Sequence, residues 1–141
     1  MIIPEGVIEI GAAAFMNNQI VSVEMPNSLT TIGWCAFTYN YITSITIPDS
    51  VKTINKLAFK SNKLISVEIP DGVEIIESGT FADNRLTAVK LPKNLKRITN
   101  EIYKKNTKFI TGAFENNQLT SVTIPGGVET IAIRTFLEIR E

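Results

Sequence analysis

The 141-residue chain has no histidine, one cysteine, one tryptophan and no net charge, its fourteen Lys and Arg balancing fourteen Asp and Glu. Without histidine it lacks the commonest general base near neutral pH and the commonest nitrogen ligand of zinc. A lone cysteine cannot close an internal disulfide, which leaves stability to packing and hydrogen bonds. Zero net charge gives the whole molecule no field that would draw it to nucleic acid or to an anionic membrane. No apolar run has the length of a membrane span or the layout of a signal peptide. These absences disfavour metal, redox and most hydrolytic chemistry, call for no cofactor and predict no membrane insertion. What is present, 44% hydrophobic and 20% charged residues, is the composition of one folded domain over residues 1–141.

The prolines and phenylalanines fall into register. Proline stands at 4, 26, 48, 70, 92 and 125, at intervals of 22, 22, 22, 22 and 33. Six of the seven phenylalanines stand at 15, 37, 59, 81, 114 and 136, Tyr103 follows Phe81 by 22, and only Phe109 is left over. Asn18, Asn40, Asn62, Asn84 and Asn106 share the interval, with Asn117 eleven residues further on. A fixed period in the twenties marks a solenoid, in which each unit buries its apolar face on its neighbours. The unit reads Leu-x-x-Val-x-Ile-Pro-x-x-Val-x-x-Ile-x-x-x-Ala-Phe-x-x-Asn-x and is laid out in full over residues 64–85, with Thr80 in the Ala place. In its opening strand, alternation turns Val67 and Ile69 inward and Ser66 and Glu68 outward. Pro70 ends that strand because it cannot donate a ladder hydrogen bond. Val73, Ile76 and Phe81 continue the core, with the ring as its largest piece.

Over residues 1–136 this run resembles the BspA-like, or Treponema-type, leucine-rich repeat family, whose units carry the same Ile-Pro-x-x-Val-x-x-Ile-x-x-x-Ala-Phe segment. The chain departs from the family where asparagine stands near a position that often holds cysteine, and in its irregular fifth unit. The resemblance implies an α/β-class, right-handed leucine-rich-repeat solenoid of about six 22-residue coils, with short parallel strands on one face and turns and short helical pieces elsewhere. It further implies a bacterial cell-surface or secreted binding protein and not an enzyme, with a protein ligand such as a host surface or matrix protein.

The 33-residue interval is 44 less 11, so eleven residues are missing from two units. Asn106 is followed by Thr107-Lys108 and then by Phe109-Ile-Thr-Gly-Ala-Phe114, which places Phe109 in the column of Ile98 and Ile131. Either the stack bulges locally or residues 99–108 loop out and the ladder closes across them. The polar run Lys-Lys-Asn-Thr-Lys favours the loop. Keeping Tyr103 in the aromatic column is an equally economical alternative. At the start, Met1 and Ile3 open in mid-unit on the inward column of Val23 and Met25, without a polar capping unit. That predicts a segment of a longer protein, or self-association through the uncapped N-terminal coil. Residues 132–141 are expected to close the domain, with Leu-Glu-Ile-Arg-Glu after Phe136 leaving the asparagine column as a short helix.

Each chemically conspicuous side chain has a plain structural reading beside it. Stacked asparagines suit a ladder that satisfies turn backbone groups and one another. The outward serines 22, 44, 66 and 121 have no base nearby. Asp49 and Asp71 in adjacent turns are too few carboxylates for a calcium cage. Cys35 shares its column with Ala13, Leu57, Gly79, Glu101 and Arg134, which reads as a partly accessible thiol with a packing role. Trp34, Tyr39 and Tyr41 lie off the phenylalanine column, at positions that are Lys56, Ser78 and Asn100; Asn17, Ser61 and Asp83; and Gln19, Lys63 and Arg85 in sibling units. Polar siblings predict exposure, and exposed Trp and Tyr either anchor a partner or cover the edges of neighbouring coils.

Charge is segregated along the chain. Residues 1–50 carry four acidic and no basic residues, residues 51–108 twelve basic and six acidic, and residues 109–141 two basic and four acidic. The basic patch Lys93, Lys96, Arg97, Lys104, Lys105 and Lys108, with Lys90 beside it, is either a solvated surface or a contact for a polyanion or carbohydrate. Tyr103 is its one interleaved aromatic, which disfavours nucleic acid. The partner-binding face expected of the repeat is the outward strand column Glu24, Thr46, Glu68, Lys90 and Thr123, flanked by Tyr39 and Tyr41. A structural spacer within a larger surface protein is the alternative.

Overall fold

The structure is a computed structural model that describes residues 1–100 and 111–138. Among these, eight parallel-paired strands of two or three residues form: β1 (Glu9–Ile10), β2 (Thr31–Ile32), β3 (Thr53–Ile54), β4 (Ser66–Glu68), β5 (Ile75–Ile76), β6 (Ala88–Lys90), β7 (Arg97–Ile98) and β8 (Thr130–Ile131). They make three small sheets, in the orders β1-β2-β3, β4-β6 and β5-β7-β8. Ile10 pairs with Ile32 and Val67 with Val89, each across one 22-residue unit, while Ile98 pairs with Ile131 across 33.

The proline of each unit begins a turn. Its carbonyl accepts the amide of the residue three positions on, as in Val51 N to Pro48 O at 3.0 Å and Val73 N to Pro70 O at 3.0 Å. That is the i to i+3 closure of a β-turn, and it fixes the Pro-x-x-Val spacing. The chain then extends through a pair ending in isoleucine, often Thr-Ile, whose β-branched side chains favour strand geometry. The isoleucines Ile10, Ile32, Ile54, Ile76 and Ile98 point inward and are buried. Strand pairing therefore occupies two columns of the coil, where one face was expected. In the Leu-x-x-Val-x-Ile segment, assigned pairing is confined to β4 with β6 and a bridge between Ile2 and Glu24.

The expected short helical pieces do not form among the described residues. The reason lies in left-handed positions, two per coil and four residues apart except in the coil of Gly112, where only Asn116 is left-handed. Ala13, Cys35, Leu57, Gly79 and Arg134 have φ of 54° to 63°, and Asn17, Tyr39, Ser61, Asp83, Asn116 and Glu138 have φ of 55° to 62°. A left-handed residue ends a right-handed helix, so the segment between the two columns can only turn. Leu137 and Glu138 lie in a turn where the closing helix was expected to begin, and 139–141 lie outside the described residues.

Two ladders run through the stack. Phe15, Phe37, Phe59, Phe81, Phe114 and Phe136 stack ring on ring at centroid spacings of 5.4 to 5.6 Å and interplanar angles of 3° to 16°. Beside them each buried asparagine stitches neighbouring coils. Asn62 donates through Nδ2 to Phe37 O at 2.9 Å and Phe59 O at 3.2 Å, and its Oδ1 accepts Ile42 N at 3.1 Å. Asn40, Asn84 and Asn117 repeat the pattern. The amides bond backbone groups, and the expected bonds between one asparagine and the next do not occur in these four. Across the irregular unit Phe81 stacks directly on Phe114, and Leu86 N bonds Asn117 Oδ1. Ile98 pairs directly with Ile131. Phe109 and Tyr103 themselves lie outside the described residues.

Met1 is exposed, against the expectation that it joins Ile3 in the core; its ammonium group donates to Ser22 O at 2.9 Å. Cys35 is only 4% exposed, so the expected accessible thiol is corrected to a core residue. Its burial is not shared by Arg134 in the same column, so the mixed chemistry of the column does not reveal it.

Candidate functional site

Glu24, Thr46, Glu68, Lys90 and Thr123 are all exposed on one column of the coil, each beside an inward-facing neighbour such as Val23 or Val67. Parallel pairing of Glu68 with Lys90 shows the register directly. Three shallow grooves lie along this column at the strand-to-turn bend. One of about 360 Å³ holds Glu24, Met25 and Thr46; one of about 430 Å³ holds Thr46, Asp49 and Glu68; one of about 500 Å³ holds Lys90, Lys93 and Thr123. Thr46 borders two of them.

Electrostatics on this face is local and largely self-compensated. Lys90 pairs with Glu68, whose hydrogen bond and charge raise the ammonium above its ordinary value of 10.5. One turn along, the Lys93 backbone N–H donates to Asp71 Oδ1 at 2.9 Å and its ammonium stands 3.4 Å from Oδ2. Together, with the backbone bond foremost, they hold the Asp71 carboxyl below its ordinary 3.8. Glu5 caps the next coil in the same way, accepting Asn27 N at 3.1 Å.

The aromatic side chains sit elsewhere. Trp34, Tyr39 and Tyr41 are each about half exposed, at 52%, 50% and 52%. Tyr39 and Tyr41 flank Asn40 at the corner leading into the strand segment, and Trp34 occupies the corner after β2. None of the three lines the strand-face grooves. Tyr39 carries a cost that Asn17, Asp83 and Asn116 avoid, for its φ is 57°. Asn and Asp tolerate this region and tyrosine does not, at about 1 kcal/mol. Alternating Asn17, Ser61, Asp83 and Asn116 in its column was the sequence signal for that backbone; read only as polarity, it yielded exposure and missed conformation.

The described members of the basic patch are Lys93, Lys96 and Arg97. Lys93 is held by Asp71. Lys96 lies between Glu74 and Glu129 on adjacent coils, its backbone bonded to both, and Arg97 lies between Ile75 and Thr130. Lys104, Lys105 and Lys108 lie outside the described residues. Sequence reasoning instead missed Lys63 and Arg85, which it used only as polar siblings of Tyr41. They occupy equivalent places on adjacent coils, and among the described residues neither has an ion pair with a carboxylate.

No curated protein matches the chain. The family comparison matches six copies of the BspA type leucine rich repeat region over residues 1–110 and 107–141. A 22-residue unit with parallel pairing, a proline turn, a phenylalanine stack and an asparagine ladder is the physical content of that match, and the chain belongs to the BspA-type leucine-rich repeat family.

Proposed function

We propose that the chain is a right-handed solenoid that serves as a non-catalytic protein-binding scaffold of a bacterial cell-surface or secreted protein. The observation that carries this reading is the contrast between its columns. Inward columns repeat one residue type, Phe, Ile or Asn, whereas the outward column changes from carboxylate to hydroxyl to ammonium over a rigid, regular base. Information for a partner therefore lies on the outward face, and shallow grooves along it suit an extended ligand more than a small molecule. Tyr39 supports a binding role from a second direction, because an exposed ring held in a left-handed backbone is retained at a loss of stability.

The test is binding of the full chain to a panel of extracellular-matrix proteins, compared with Thr46→Arg and Tyr39→Asn. Thr46→Arg fills the two grooves that Thr46 borders and is expected to weaken capture by at least about tenfold with an unchanged melting temperature. Tyr39→Asn is expected to melt higher and bind less. Wild-type affinity in both variants removes this face and this ring from recognition, and absence of any binding favours the spacer reading.

A further inference from the structure

We propose that a lateral row beside the strand face, Gln19, Tyr41, Lys63, Arg85 and Gln118, is a binding site for an extended sulfated glycan. This surface and ligand are distinct from the protein-binding face proposed above, and the inference does not rest on that reading.

Backbone hydrogen bonds set the row. Tyr41 N donates to Ile20 O at 2.9 Å, Lys63 N to Ile42 O at 2.9 Å, Arg85 N to Leu64 O at 3.0 Å and Gln118 N to Leu86 O at 2.9 Å. Each bond joins adjacent coils in the same register, so the five side chains follow one another at about the strand spacing of 4.8 Å and span roughly 19 Å. Gln19, Tyr41, Arg85 and Gln118 are exposed and Lys63 is half-buried. The order is amide, ring, cation, cation, amide.

Two cations on neighbouring coils repel each other. Around Lys63 and Arg85 that repulsion has no internal remedy, because the nearby Asp83 is engaged elsewhere. Its Oδ2 stands 3.2 Å from Lys60 Nζ, and its Oδ1 accepts Asn116 Nδ2 at 2.7 Å. The pair thus presents an ammonium and a guanidinium fork to one incoming anion. A sulfate group, with three oxygens, can accept from both at once, where a carboxylate offers two. On either side the row changes to groups suited to a sugar. The Tyr41 ring offers a flat apolar face, and the glutamine amides offer both donors and acceptors for hydroxyls. No aliphatic side chain stands in the row to anchor a peptide. A polar groove of about 410 Å³ adjoins its far end, bordered by Asp83, Arg85, Asn116 and Gln118.

The experiment titrates the full chain with heparin and, separately, with polyglutamate, at two salt concentrations. Heparin is expected to bind, and to bind more weakly at higher salt. The double variant Lys63→Gln/Arg85→Gln is expected to lose at least about tenfold in affinity. Lys96→Gln/Arg97→Gln removes the same charge from another column and is expected to stay within about twofold. Tyr41→Ser, which leaves every charge in place, is expected to weaken heparin but not polyglutamate. Melting temperatures confirm that each variant is folded. The inference is overturned if the wild type does not bind heparin, or if both double variants weaken equally. It is also overturned if polyglutamate binds as tightly as heparin with the same losses, which would make the row a site for acidic protein. Thr46→Arg leaves heparin binding unchanged if the two surfaces are separate, so either reading can fail alone.

Discussion

The asparagine amide meets three backbone groups, one carbonyl of its own coil and a carbonyl and an N–H of the neighbouring one. At Asn62 they are buried, and removing the amide strands Ile42 N without water to replace it, while Phe37 O keeps Asn40 Nδ2 and Phe59 O keeps Asn84 Nδ2. At Asn18, in the first coil, the amide is exposed and reaches only Phe15 O and Met16 O of its own turn. Asn62→Ala is therefore expected to lower stability by about 3 kcal/mol and Asn18→Ala by under about 1 kcal/mol, read as shifts in urea midpoint. Equal losses at the two positions would mean that intrinsic turn propensity, and not stitching between coils, explains the asparagines. Cys35 shows the limit of side-chain chemistry as a guide. Its neighbours in the column range from Ala to Arg, yet a left-handed backbone and a buried thiol coincide there.

The turn after β4 is an element held from the next coil, since Asp71 accepts the Lys93 N–H. A carboxyl whose folded pKa is depressed stabilises the fold above its unfolded value and ceases to do so as pH falls through the folded one. Asp71→Asn, which resembles the protonated acid in shape, is expected to melt below the wild type at pH 7. The two are expected to converge as pH falls below 3.8. A gap that persists unchanged to about pH 2 would assign the difference to something other than ionisation. Elements of this kind were legible in the sequence wherever one residue type repeats, because a period converts directly into a column: the proline turn, the phenylalanine stack and the asparagine ladder all appear that way. The second strand column was not, since alternation was sought only before the proline. Left-handed positions were equally hidden, because Ala, Cys, Leu, Gly and Arg share a backbone conformation there and no chemistry.

In the whole molecule, segregated charge becomes a set of short-range pairings between coils, Glu68 with Lys90, Asp71 with Lys93, Asp83 with Lys60 and Glu115 with Arg134. Composition along the chain foretold an acidic start and a basic middle but not which cations would be left without a carboxylate. That depends on column as well as coil, and only Lys63 and Arg85 fall together on the row with Tyr41. The bonds between coils, in strands, turns and asparagine ladder alike, join each coil to its neighbours. Pulled by its two ends, such a chain is a graded tether: it yields one coil at a time instead of rupturing as a block. Each 22-residue coil releases about 75 Å of contour, and the step that crosses the 33-residue interval about 110 Å. Single-molecule extension is expected to show that spacing with one longer event, and a single full-length rupture would contradict it.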